Sequence, residues 1–129
     1  MRSILVVAVS ACLAVTAANA QDLQSANVIA PGCETFVRGT TTQTNELWRE
    51  GHCVGVVMTL FAVGRILPPK DRFCPPPKGT LGKSVPVVVS YINSIPHRRN
   101  EPFVDLAIEA FRKAWPCPLP RAKQGDQRT

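Results

Sequence analysis

The clearest periodic pattern in the chain runs from Glu101 to Trp115. There Phe103, Leu106, Ala107, Ala110, Phe111 and Trp115 recur at the three- and four-residue spacing of one helical face. Asn100 is placed to cap this helix, and Pro102 falls in its first turn, where a missing N–H costs nothing. Glu101 and Asp105 near its start, and Arg112 and Lys113 near its end, match the sign of the helix dipole; Pro116 stops it. A second helix is expected over Asn45 to Val63, capped by Asn45 and released at Gly64. From Val54 onward nearly every residue of it is apolar, which suits a buried helix or a buried strand, and the length of the segment decides for helix. Gly51 and Gly55, flanking Cys53, would let another backbone approach closely. Ser84 to Ser94 poses the same choice, and Ser84 as cap with Pro86 in the first turn makes it a third helix. A fourth spans Ser25 to Val37, with Pro31-Gly32 disturbing it.

Two connections separate these elements. Arg65 to Lys83 holds five prolines, two glycines and five basic residues against one acid. So long a stretch without a regular pattern is usually a functional or partly disordered loop, although Pro75-Pro76-Pro77 within it should be extended and stiff. Ile95 to Asn100 is shorter and carries His97-Arg98-Arg99. The chain after Pro118 is polar and basic, as a fraying tail would be.

Ahead of the helices stands a different pattern. Met1-Arg2 is followed by an almost wholly apolar run from Ile4 to Val15, and Ala18-Asn19-Ala20 has the small-x-small form of a cleavage site. This is the layout of a secretory signal peptide, and the run is too short for a spanning helix. Val9-Ser10-Ala11-Cys12 has the look of a lipobox, but would leave an apolar stretch wasted beyond the cysteine. The expected organisation is a signal peptide over 1–20 cleaved after Ala20, a helical domain over 21–117 and a basic tail over 118–129. No stable membrane anchor would survive cleavage.

Export changes the reading of the cysteines. Cys12 leaves with the leader, and Cys33, Cys53, Cys74 and Cys117 remain. In an oxidising compartment an even number implies two disulfides, from three possible pairings. Separations of 20, 21 and 43 residues do not suit zinc, which favours close pairs, so no metal and no cofactor are expected. The whole chain has 129 residues and a formal charge of +6, enough for one domain. An exported protein rarely meets nucleic acid, so the charge points to anionic lipid, wall polymer or an acidic protein cleft.

Catalysis finds little support. His52 and His97 are the only histidines, neither beside a nucleophile at a recognised spacing, and Ser84 and Ser94 lack a Gly-x-Ser-x-Gly setting. With the thiols in bridges no cysteine nucleophile is left. A binding protein, not an enzyme, is the expectation.

Gly51-His52-Cys53-Val54-Gly55 on its apolar helix resembles the Gly-x-Cys-x-Gly segment of the Rap/Tai-type immunity proteins. Cys74-Pro75, Tyr91-Ile92, Pro96-His97-Arg98-Arg99 and Ala114-Trp115-Pro116-Cys117 then follow in the order of that family's signposts. The likeness covers roughly Ala26 to Cys117. Pro96-His97 reverses the family's His-Pro, Val56 stands where an aromatic is common, and the loop before Cys74 is richer in proline. The resemblance implies an all-α periplasmic domain of about four helices, often dimeric, that blocks a peptidoglycan amidase delivered by type VI secretion. A general periplasmic binding or chaperone module, or a regulator of wall enzymes, is the competing class.

Within that frame, sequential order and helix ends favour the pairs Cys33–Cys53 and Cys74–Cys117. The apolar run Val54 to Val63 exceeds what one helix needs for its own core and suggests a homodimer. For the partner-binding surface, the turn at Ile95–Asn100 should project His97, Arg98 and Arg99 from a stiff base, with Lys70 and Arg72 of the longer, more mobile loop as secondary contacts.

Overall fold

Ala26, Ile29, Ala30 and Cys33 share one face of α1 (Ala26–Arg38), and all four are buried. The computed structural model describes residues 23–40 and 44–119; the expected signal peptide, and the expected tail beyond Leu119, lie outside them. Among the described residues the elements are α1, α2 (Thr44–Val63), α3 (Leu81–Ser94) and α4 (Phe103–Ala114). Short 3-10 turns at Gly64–Ile66 and Pro96–Arg98 complete them, and no strand occurs. The domain is all-α. No described helix is long and apolar enough to cross a membrane.

α1 packs chiefly on α2 and also on α3, while α3 packs on α4. Phe73, Phe103, Phe111, Ile29, Ile92 and Leu106 are the largest side chains fully buried between them. Both expected bonds are present. Cys33–Cys53 ties α1 to α2 with Cα atoms 5.4 Å apart, and Cys74–Cys117 ties the Pro-rich segment to the exit of α4 with Cα atoms 4.8 Å apart.

Helix starts differ from the sequence expectation for identifiable reasons. α4 begins at Phe103 with Pro102 as its N-cap residue, not at Glu101 behind Asn100. The Phe103 N–H donates to the Gln24 carbonyl (2.8 Å) and the Ala26 N–H to that of Glu101 (3.0 Å). This small antiparallel bridge between Ser25 and Pro102 keeps the segment out of the helix, and Asn100 instead accepts a hydrogen bond from the Asn27 side chain. α3 starts three residues before Ser84, with Thr80 at the N-cap position. Ser84 is buried in its second turn and donates its hydroxyl to the Thr80 carbonyl (2.9 Å). Pro86 therefore lies inside the helix. The carbonyl it cannot serve belongs to Gly82, which is exposed and open to water. α2 begins one residue ahead of Asn45, its expected cap.

The close-approach glycine is also a different one. A Cβ on Gly32 would lie 2.2 Å from the backbone carbonyl atoms of Arg49, so only glycine lets α1 and α2 touch there. Pro31-Gly32 does not break α1, which runs on through both. At Gly51 and Gly55 an added Cβ would meet nothing within 4 Å: these two face outward.

The segment from Gly64 to Thr80 is not slack. Phe73 is fully buried against Phe111 (ring centroids 5.0 Å apart) and fits beneath Gly64, where a Cβ would strike its ring at 2.4 Å. The Phe73 N–H donates to the Gly64 carbonyl (3.2 Å) and the Cys74 N–H to that of Trp115 (2.8 Å). Arg65 donates to the Pro75 carbonyl (2.7 Å) and Arg72 to that of Leu67 (3.0 Å). With the Cys74–Cys117 bond these contacts make the segment a strap laid across the ends of α2 and α4, correcting the expectation of a mobile loop.

Candidate functional site

The turn after α3 carries the most elaborate polar structure among the described residues. Pro96 starts a 3-10 turn, Arg98 and Arg99 follow, and the Asn27 N–H donates to the Arg99 carbonyl (2.8 Å), sewing the turn to α1. The Arg98 guanidinium forks onto two carboxylates at once. Its Nε and Nη2 donate to the two oxygens of Glu101 (both 2.7 Å), and its Nη1 and Nη2 to the two oxygens of Glu109 (both 2.8 Å). From α3, the Tyr91 hydroxyl donates to Glu109 as well (2.6 Å). Bidentate, charge-assisted bonds of this kind are the strong ones, and their planar geometry fixes orientation.

The titration behaviour follows from these partners. Hydrogen bonds from Arg98, then from Tyr91, hold the Glu109 carboxyl down at about 2. Arg98 likewise lowers Glu101, while the bond to Glu109, helped by burial, raises the Tyr91 phenol. Arg98 itself is held more firmly protonated by the two carboxylates.

The expected contact residues thus divide. Arg98 does not project: it is half-buried and turned inward onto α4. Arg99 is also half-buried, paired with Glu34 of α1 (3.1 Å) and hydrogen-bonded to Asn93. Their charge is spent on acids that sequence order places elsewhere, and this is why they fold back. His97 alone of the three is exposed. Lys70 is exposed on the strap and lines, with Glu101, Asp105, Glu109 and Arg112, a cleft of about 390 Å³, so the strap meets the Arg98 clasp across a common cleft. Arg72 is exposed but does not line it.

A second hollow is an apolar groove of about 450 Å³ formed by Gly51, His52, Gly55, Val56, Thr59, Leu60 and Val104. Trp48 stacks edge-on against His52 beside it, and Leu47, Trp48 and Met58 are exposed along the same helix. The apolar surplus of α2 is therefore not the whole of Val54–Val63, since Val57 and Leu60 belong to the protein's own core. Trp48 and Phe73 do not stand out from the sequence, and Glu109 reads there as a plain helix-surface charge. Only Trp48 carried a visible cue, an exposed-face position one turn before Gly51-His52. Among the described residues no group of three or more His, Cys, Asp or Glu side chains is placed to hold a metal ion.

A family model described as Rap1a immunity proteins matches residues 10–117. No curated protein and no solved structure matches the chain.

Proposed function

The chain belongs to the Rap1a immunity protein family, and from that premise we propose that it binds a secreted effector, a peptidoglycan amidase delivered by type VI secretion, and holds it inactive in the periplasm. In this reading the leader over 1–20 is removed after Ala20 and the protein works by binding, not by catalysis. The observation that carries it is the family match over residues 10–117, with the locked turn as its structural complement.

An inhibitor that enters a cleft gains from being rigid before it binds, because less ordering is left to do. The 95–100 turn has that property. Arg98 and Arg99 hold its shape from within, His97 is its exposed residue, Lys70 faces the cleft next to it, and Arg72 lies farther along the strap as an outlying contact. The exposed stripe on α2 takes a second copy of the chain. Knobs (Leu47, Trp48, Met58) and an open groove (Gly51, Gly55, Thr59) lie on one helix, so two copies related by a two-fold axis present each to the other.

The test is amidase activity on purified peptidoglycan, using the candidate effector encoded nearest this chain's gene. Equimolar chain should abolish hydrolysis, and His97→Glu should weaken the inhibition. Undiminished hydrolysis at tenfold excess of the wild-type chain would overturn the reading.

A further inference from the structure

We infer that the strap from Gly64 to Thr80, with the first turn of α3 that follows it, is a docking surface for an acidic face of a protein partner, with Ile66 as its apolar peg. This rests on the reading above and names a second, separate contact on the same partner. Of the five cations here, Arg65 and Arg72 hold backbone carbonyls, while Lys78 on the strap and Lys83 in the first turn of α3 are exposed. Among the described residues none of these four is in an ion pair. The carbonyl bonds fix the two guanidinium groups in place without neutralising them. The turn after α3 differs, because there Arg98 and Arg99 are paired with Glu101, Glu109 and Glu34. Four cations outside any described ion pair thus follow one another along the strap and into the first turn of α3.

The contacts also bring the pieces together. Arg65 reaches Pro75, Arg72 reaches Leu67, and Gly79, next to Lys78, sits against Phe61 one turn before Arg65. Arg65 is thus the chain neighbour of Ile66 and the Arg72 guanidinium sits on the Leu67 carbonyl next to it, while Ile66 itself is 79% exposed. An apolar residue so far out of the core, on a pinned backbone and flanked by two fixed guanidinium groups, suits a protein pocket with an acidic rim. Lys70 is set apart, since it faces the cleft that holds Glu101, Asp105 and Glu109 and is near Asp71. A lipid surface is the poorer fit, because a single isoleucine with no aromatic neighbour exposed on the strap buries too little to hold a bilayer.

Lys78→Glu/Lys83→Glu tests the charge and Ile66→Asp the peg; both spare every strap hydrogen bond described. Binding of the full mature chain to the same amidase effector is followed by surface plasmon resonance from 50 to 500 mM salt. The double variant should associate about tenfold more slowly at low salt, with the difference closing as salt rises. Ile66→Asp should dissociate about tenfold faster at every salt concentration. If the wild-type chain binds and both variants match it throughout, the docking surface is refuted while the immunity reading stands; if the wild-type chain does not bind, both fall together. Binding of the wild type to vesicles of phosphatidylcholine and phosphatidylglycerol, lost in the double variant while its effector binding is kept, would assign the strap to lipid and overturn the proposal. Circular dichroism checks that each variant is folded.

Discussion

Replacing Gly32 with alanine should destabilise the protein severely, although alanine is the better helix former by about 1 kcal/mol. The new Cβ would stand 2.2 Å from the carbonyl carbon and oxygen of Arg49 and 2.5 Å from the Glu50 nitrogen. All three are backbone atoms, so no rotamer change relieves the clash. α1 and α2 must move apart by more than 1 Å to reach ordinary contact of about 3.5 Å. The Cys33–Cys53 bond, one residue along from Gly32, opposes that movement. Overpacking of this sort costs about 1–3 kcal/mol, and the unyielding backbone places this case at the top of the range. After the gain in helix propensity about 2 kcal/mol of net loss remains, which in a domain of this size lowers Tm by roughly 8–16 °C. Gly51→Ala and Gly55→Ala are the controls. They make the same chemical change where an added Cβ meets nothing, so each should raise monomer stability by up to about 1 kcal/mol. Thermal and urea melts followed by circular dichroism at one protein concentration decide it. A Gly32→Ala protein melting at or above the wild-type temperature would refute the close-approach account of this helix pair.

Glu109 titrates near 4.5 in the unfolded chain and at about 2 in the fold, so its stabilisation is complete above the first value and is lost as the pH falls towards the second. The full shift would be about 3 kcal/mol; at a side chain 36% exposed, solvent screening leaves about 1 kcal/mol, and urea melts from pH 5 to 2.5 should show Glu109→Gln flattening that slope. Cys33 and Cys53 are fully buried while Cys74 and Cys117 are half-exposed, so under native conditions a phosphine reductant should open Cys74–Cys117 first, as read by mass-tagging of free thiols. Equal rates at the two bonds would contradict the burial difference. Light scattering at high micromolar concentration should give a dimer mass for the wild type and a monomer mass for Trp48→Glu; a monomeric wild type removes the α2 stripe as an interface.

Four helices and both disulfide pairs were legible because periodicity and cysteine order are local or sequential properties. What escaped was set by partners distant along the chain. The start of α4 depends on Gln24 and Ala26, which no window around residue 102 contains. Gly51 and Gly55 drew attention by flanking a cysteine, yet the glycine that lets two helices touch is Gly32, and only the helix packing tells them apart. The basic triplet His97-Arg98-Arg99 suggested an outward charge cluster. Glu101, Glu109 and Glu34, at helix positions that sequence alone assigns to solvent, turn two of the three inward. Proline content correctly marked the strap as irregular. Its stiffness has another source, since it comes from Phe73 beneath Gly64 and from carbonyls that two arginines hold.

Among the four cysteines of the described residues the two disulfides join neighbours in order, Cys33 to Cys53 and Cys74 to Cys117, with no loop threading another. A chain emerging N-terminus first presents Cys33 and Cys53 together before Cys74 is out. α1 and α2 can then be bonded as a finished hairpin while the rest is still arriving. Given the proposed removal of the leader with Cys12, an oxidant that links the remaining thiols in order of arrival makes both native bonds, and no wrong bond has to be undone. Maturation of this protein should therefore need a thiol oxidant but no disulfide isomerase.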